Sequence, residues 1–261
     1  MNILEEIAAK TRERTRLYKE SITADQMASM AEAMAGKTKV PSFAEALKGP
    51  GISFICEVKK ASPSKGLIAE DFPYLKIAEE YQEAGASAIS CLTEPCWFLG
   101  KDQYLKEITD RVTIPVLRKD FTVDRYMVDQ ARVLGASAVL LICAILSPDQ
   151  ITEYRQRAEE LGMDALVEAH NAEEIRTAVG CGAKIIGVNN RNLADFSVDM
   201  DNTKRLVGLI PDDCIVVSES GIRTADDVRN AAESGACAVL IGETLMRAED
   251  KAAKLRELDG R

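Results

Sequence analysis

Short apolar runs recur along this chain, each preceded by a stretch of helical periodicity and each ending in polar residues. Four of them follow a glycine-alanine pair: AGASAISCLTE, LGASAVLLICA, CGAKIIGVNN and SGACAVLIGET. The glycines, Gly85, Gly135, Gly182 and Gly235, recur about every 50 residues. Glycine suits the left-handed position that stops a helix, and a strand follows within a few residues. Four further runs, ISFICEV, IPVLRK, DALVEAH and CIVVSES, fall between these, so eight strands alternate with helices. The runs are continuously apolar rather than alternating, as in a parallel sheet covered by helices. Eight such units in about 200 residues predict a closed (β/α)8 barrel. An open doubly wound sheet is the rival, but no GxGxxG follows the first strand and eight units suit closure better.

Several helices announce their starts. Ser147-Pro148-Asp149-Gln150 offers an N-cap, a first-turn proline and a capping-box glutamine. Asn171 with Glu174, and Thr224 with Asp227, read as further boxes. The first fifty residues stand outside the repeat. They hold two amphipathic helices, ILEEIAAKTRERTRLYKE and ADQMASMAEAMAG, the second opened by Thr23 with Gln26. Residues 1–50 thus form a helical extension packed on a barrel of residues 51–261. It either plugs the bottom of the barrel or folds over the ligand end; periodicity allows both.

Composition narrows the picture. At 261 residues and 46% apolar content the chain can bury one substantial core. A net charge of -9 and a pI near 4.9 argue against nucleic-acid binding, while leaving room for a locally positive pocket for a small anion. No apolar run is long enough for a membrane span, and the N-terminus lacks the apolar core of a secretion signal. Seven cysteines, none spaced C-x-x-C and most inside apolar runs, read as reduced, buried thiols of a cytoplasmic protein. The single histidine, His170, lacks partners for a metal site, so neither metal nor cofactor is expected.

Barrel enzymes place their chemistry at the carboxyl ends of the strands. In order, those ends carry Glu57 and Lys59; Thr93 and Glu94; Arg118, Lys119 and Asp120; the uncharged Ile142 and Cys143; Glu168; Asn189 and Arg191; Glu219, Ser220 and Gly221; and Gly242 and Glu243. Charges are costly at the end of an apolar strand unless paired, so polar ends on seven of eight strands predict an active site at a common centre. The glycine turns SESGI and LIGETL, with Ser220 and Arg191 beside them, predict a phosphate site and hence a phosphate-monoester substrate.

Taken in order, EVKKASPSKG, LTE…FLG, PVLRKDF, LVEAH, GVNNRNL, SESGI and LIGETLMR resemble the indole-3-glycerol phosphate synthases, from the N-terminal helices to the last strand. With no second barrel after it, the chain resembles the monofunctional form. The resemblance implies a substrate, 1-(2-carboxyphenylamino)-1-deoxyribulose 5-phosphate, cyclised with loss of carbon dioxide and water, and allows complexes with other enzymes of the tryptophan pathway. It implies Lys59 and Lys119 as acids toward the C2 oxygen, their protons made easier to give by mutual crowding and by Arg118. Glu168 is then the base, with Glu57 as its supporting carboxylate. Asn189, Glu219 and Ser220 position the substrate, the first two through the ribulose hydroxyls. Arg191 and the backbone around Gly221, Gly242 and Glu243 clamp the phosphate, with Lys59 near both phosphate and reacting centre. Phe98 and Phe121 wall the aromatic ring. Ser62 belongs to a substrate-binding loop, Ser62 to Gly66, expected to be mobile, and Lys60 turns to the opposite face. Another phosphate-binding barrel isomerase or aldolase, or a non-catalytic sugar-phosphate regulator, remains as the alternative.

Overall fold

The structure of the chain, a computed structural model, describes residues 3–192 and 195–260. Leu193 of the GVNNRNL motif lies outside the described residues, as do the first two and the last residue of the stated segments. Among the described residues, eight parallel strands close into a barrel. They are β1 (Ser53–Val58), β2 (Ala88–Leu92), β3 (Val116–Lys119), β4 (Ala138–Ile142), β5 (Asp164–Ala169), β6 (Ile185–Asn189), β7 (Ile215–Glu219) and β8 (Ala238–Ile241). Each pairs with its sequence neighbours, and β8 closes on β1.

The glycine-alanine repeat has a hydrogen-bonded cause. Gly85, Gly135, Gly182 and Gly235 all have positive φ, between 77° and 97°. The alanine after each donates its N–H five residues back into the helix just ended. The bonds are Ala86 to Tyr81, Ala136 to Ala131, Ala183 to Ala178 and Ala236 to Ala231, at 3.0–3.1 Å. This closure satisfies the carbonyls a helix end leaves free and turns the chain into the next strand.

Alternation along the strands separates two cores. Ile55, Leu117, Leu140, Leu166, Ile185, Val217 and Leu240 point into the barrel. Cys56, Val58, Val116, Val139, Val167, Ile186 and Val216 face the surrounding helices. Burying each large aliphatic side chain contributes about 1.5–3 kcal/mol, so both layers stabilise the same closure. The inward rows continue upward into polar residues: Ile55 to Glu57, Leu117 to Lys119, Leu166 to Glu168, Val217 to Glu219. The site is therefore the top layer of the barrel's own side-chain stack.

The residues before β1 form α1 (Ile3–Ser21), α2 (Ala24–Lys37) and the short α3 (Phe43–Ala46). They cover both ends. Phe43 and Leu47 are fully buried in the barrel-interior cluster, and Ala44 N–H donates to Asp164 at the start of β5 (2.9 Å), so α3 seals the bottom. At the top, Leu4 and Ile7 of α1 join the cluster that contains Phe121 and Ile142. Arg14 pairs with Asp120 (2.8 Å) and Lys19 with Asp124 (2.7 Å). The Thr23, Ser147 and Thr224 boxes form in full. The Asn171 box does not: Asn171 caps Glu173 and Glu174 N–H, but Glu174 reaches past it to the N–H and ring of His170. All seven cysteines are free; Cys96 is exposed, and Cys143 and Cys237 are half-buried, so burial holds for only four.

Candidate active site

Glu57, Lys59, Ser62, Phe98, Lys119, Phe121, Glu168, Asn189, Arg191, Glu219, Ser220, Gly221, Gly242 and Glu243 all line one pocket at the top of the barrel. At its centre Lys119 Nζ donates to Glu168 Oε2 (2.9 Å) and Glu219 Oε2 (3.0 Å). Two strands away, at the end of β1, Lys59 pairs with Glu57. The side chains of Glu57, Glu168 and Glu219 are each at most 4% exposed, so their charges depend on these lysines rather than on water.

The electrostatics correct one expectation. Burial works against the charge of Lys119, but Glu168, Glu219 and Glu57 outweigh it and hold its pKa above the ordinary lysine value. Its proton is bound more tightly, not loosened. Arg118 does not crowd it, because alternation sends that guanidinium outward to Asp102, Thr93, Gln130 and the Met127 carbonyl. Glu168 pays a burial cost, yet Lys119 and His170 hold it well below the usual carboxylate range. Glu219 behaves oppositely. Burial raises it, Lys119 pulls it down only in part, and repulsion from Glu168 helps to leave it at about 7. Among the described residues its Oε1 is buried without a hydrogen-bond partner.

Two glycines make space for these carboxylates. A Cβ at Gly187 would overlap Glu219 Oε1, and one at Gly242 would overlap Glu57 Oε1 and crowd Lys59 Nζ. Nearby, Ser220 (φ 69°) and Gly221 (φ 92°) form a tight left-handed turn, and Asn190 holds the Ser220 carbonyl (3.1 Å). The short helix Glu243–Arg247 begins at Gly242 with no side-chain cap, so its first N–H groups lack side-chain partners. Arg191 lines the same pocket and donates to the Phe196 carbonyl (3.1 Å). Asn189 Oδ1 accepts from Arg191 N–H (3.0 Å), which leaves its NH2 group for a ligand. The Glu243 carboxylate pairs with Arg247 (3.0 Å) and lies 3.7 Å from Lys65. Phe98 and Phe121 stand with ring centroids 6.1 Å apart. The segment after β1 is a small hairpin, Ala61–Ser62 against Gly66–Leu67, and Lys60 is absent from the pocket lining.

Not every strand-end charge converges. Glu94 accepts three backbone N–H bonds, from Cys96, Trp97 and Phe98 (2.7–3.0 Å), and shapes the loop carrying Phe98. Asp120 borders the pocket, but Arg14 and Thr93 occupy its carboxylate. The sequence reading missed Leu4 and Ile7, which line the pocket from α1, although their i, i+3 spacing marked a buried face. It also passed over His170 as a participant, although it lies two residues beyond Glu168 on the same side of the strand.

Fold and site together define a (β/α)8 barrel whose mouth gathers two lysines against three buried glutamates. The family model described as indole-3-glycerol phosphate synthase matches residues 4–258. A protein of that name from Ruminiclostridium cellulolyticum is 52% identical, over 99% of each chain. Another, from Endomicrobium trichonymphae, is 54% identical over 98% of this chain and 99% of its own. Among solved structures, a mutant tryptophan synthase α-subunit from Pyrococcus furiosus superposes with TM-score 0.60 at 16% identity, covering 80% of this chain and 98% of that one. The chain belongs to the indole-3-glycerol phosphate synthase family, decarboxylating lyases of tryptophan biosynthesis.

Proposed function

We propose that the pocket cyclises 1-(2-carboxyphenylamino)-1-deoxyribulose 5-phosphate through Lys119 and Glu168, which the 2.9 Å ion pair between them couples into one acid–base unit. Arg191, Ser220 and the backbone at Gly221, Gly242 and Glu243 hold the phosphate, with Lys59 and Ser62 on its other side. Phe98 and Phe121 flank the aromatic ring. Asn189 and Glu219 orient the ribulose hydroxyls.

As the ring carbon attacks C2, negative charge grows on the C2 oxygen. An alkoxide is a stronger base than even a tightly held lysine, so Lys119 protonates it; Lys59 is the second acid. Loss of the carboxylate as carbon dioxide then returns its bonding pair to the ring. Once Lys119 is neutral, Glu168 loses the counter-charge that suppressed its basicity, and it becomes able to remove the proton while Lys59 protonates the C2 hydroxyl, which leaves as water. Acid and base steps are thereby ordered by one ion pair. Glu57, paired with Lys59, supports that second lysine. The unpartnered Glu219 Oε1 and its pKa of about 7 favour a second reading, in which Glu219 is the final proton acceptor. The free cysteines suit a cytoplasmic working place, and association with other enzymes of the pathway belongs to the same proposal.

Glu168→Gln keeps size and hydrogen bonding but cannot take a proton. It should make dehydration limiting, so that the decarboxylated, still hydroxylated intermediate accumulates in single turnovers of a folded protein. A variant that instead melts lower by about 3–5 kcal/mol while turning over normally would show Glu168 to be only a pair partner. Accumulation in Glu219→Gln but not Glu168→Gln would transfer the base role to Glu219.

A further inference from the structure

His170 follows the end of β5, two residues after Glu168, and lines a side cavity next to the active-site pocket. It is largely enclosed, with its side chain 14% exposed. Its ring lies between two carboxylates. Nδ1 is 3.0 Å from Glu174 Oε2, and Nε2 lies 3.3 Å from Glu168 Oε1 as an ion-pair contact without hydrogen-bond geometry. Glu174 is itself fixed by His170 N–H (2.8 Å) and Asn171 Nδ2 (2.7 Å). That is why its capping box stays open: the carboxylate that would close it holds the histidine. Glu168 thus uses its two oxygens differently, Oε1 toward His170 and Oε2 toward Lys119.

We propose that His170 is a positioning residue for the reaction, an imidazolium anchored by Glu174 that fixes one oxygen of Glu168 so that the other stays aimed at Lys119 and the reacting centre. This rests on Glu168 being the base. A doubly protonated ring is what two facing carboxylates require, since a neutral ring would present a lone pair to one of them. Burial opposes that charge, but Glu168 and Glu174 outweigh it and raise the pKa to about 10. The other charged groups nearby are Lys119 from β3, which acts through Glu168, and Arg191, Asp199 and Arg205, which line a side cavity with His170. The half-buried Cys143 thiol packs by the Glu174 carbonyl (3.6 Å).

Because His170 is the only histidine, its ring signals in an NMR titration need no assignment. The ring should remain doubly protonated at pH 8 and become easier to deprotonate in Glu174→Gln. A midpoint near the ordinary 6.5 in the unaltered protein would overturn the proposal. In His170→Gln, Glu168 loses a positive neighbour, so its pKa rises and the acid limb of the kcat profile should move up by about 1 pH unit or more. KM should change little. An unmoved limb sinks the proposal, and if Glu168→Gln still accumulates the intermediate, the base assignment survives that failure. Should His170→Gln not fold, Glu174→Gln acts on the ring from its far side and should move the same limb in the same direction. Stability gives an independent check. A raised histidine pKa stabilises fully below about 6.5 and loses that contribution as pH climbs toward 10. The Tm of the unaltered protein should therefore fall over this window more steeply than that of His170→Gln, and equal slopes would count against a charged ring.

Discussion

Arg118 and Lys119 are sequence neighbours on β3, both largely buried and both paired with carboxylates, yet they inhabit opposite kinds of cluster. Arg118 faces the helices. Every nitrogen of its guanidinium has a partner, at 2.8–3.2 Å, in Thr93, Met127, Asp102 or Gln130. Both oxygens of the adjoining Asp120 are likewise occupied, by Arg14, Thr93 and the Phe121 N–H. Lys119 faces the barrel interior, where one cation serves two carboxylates and Glu219 Oε1 has no partner. Apart from Arg14 Nε, buried without a hydrogen-bond partner among the described residues, the first cluster is closed and so fixes geometry. The second retains spare proton capacity, and a reaction can use it.

The sharpest way to break this contrast is Lys119→Met. Turnover should fall by about 10²–10⁴, the usual weight of a general acid, while a phosphate-bearing product analogue still binds. Near-normal turnover would remove Lys119 from the chemistry. Arg118→Met should show the converse. Leaving Asp102 without its cation and taking one positive neighbour from the buried Asp120 (3.7 Å) should cost about 3–5 kcal/mol in denaturant unfolding, with turnover per folded molecule nearly unchanged. A stable but inactive Arg118 variant would mean that the outer cluster also serves the reaction. The smallest effect is expected at the rim. Arg191→Ala should raise KM roughly tenfold to a hundredfold, as for one charged hydrogen bond, and cost much less with an analogue lacking phosphate. Equal losses with both ligands would separate Arg191 from the phosphate.

The same pair of residues shows what was legible in the sequence. Four of the eight strands could be read because helix termination demands a backbone only glycine adopts cheaply, and the other four as apolar runs between them. The inward row could also be read, since period-two alternation carries Leu117 to Lys119 and Leu166 to Glu168. That rule, applied to Lys60, would equally have turned Arg118 away from the site. The sense of the Lys119 shift was out of reach, because it depends on Glu168 and Glu219 meeting it from β5 and β7. The place of α1 was hidden for a similar reason. Its apolar face marks burial, but Arg14 finds Asp120 across 106 residues of sequence.

The empty positions beside the carboxylates constrain how such a barrel can evolve. Gly187 and Gly242 can accept a side chain only after Glu219 or Glu57 has moved or shortened, because a Cβ would occupy their Oε1 positions. Substitutions at these pairs are thus coupled: a side chain at either glycine must push aside the end of a glutamate, and with it that glutamate's ion pair to lysine. The two glycines and the two ion pairs beside them therefore form one unit, in which a change at one member reaches the others.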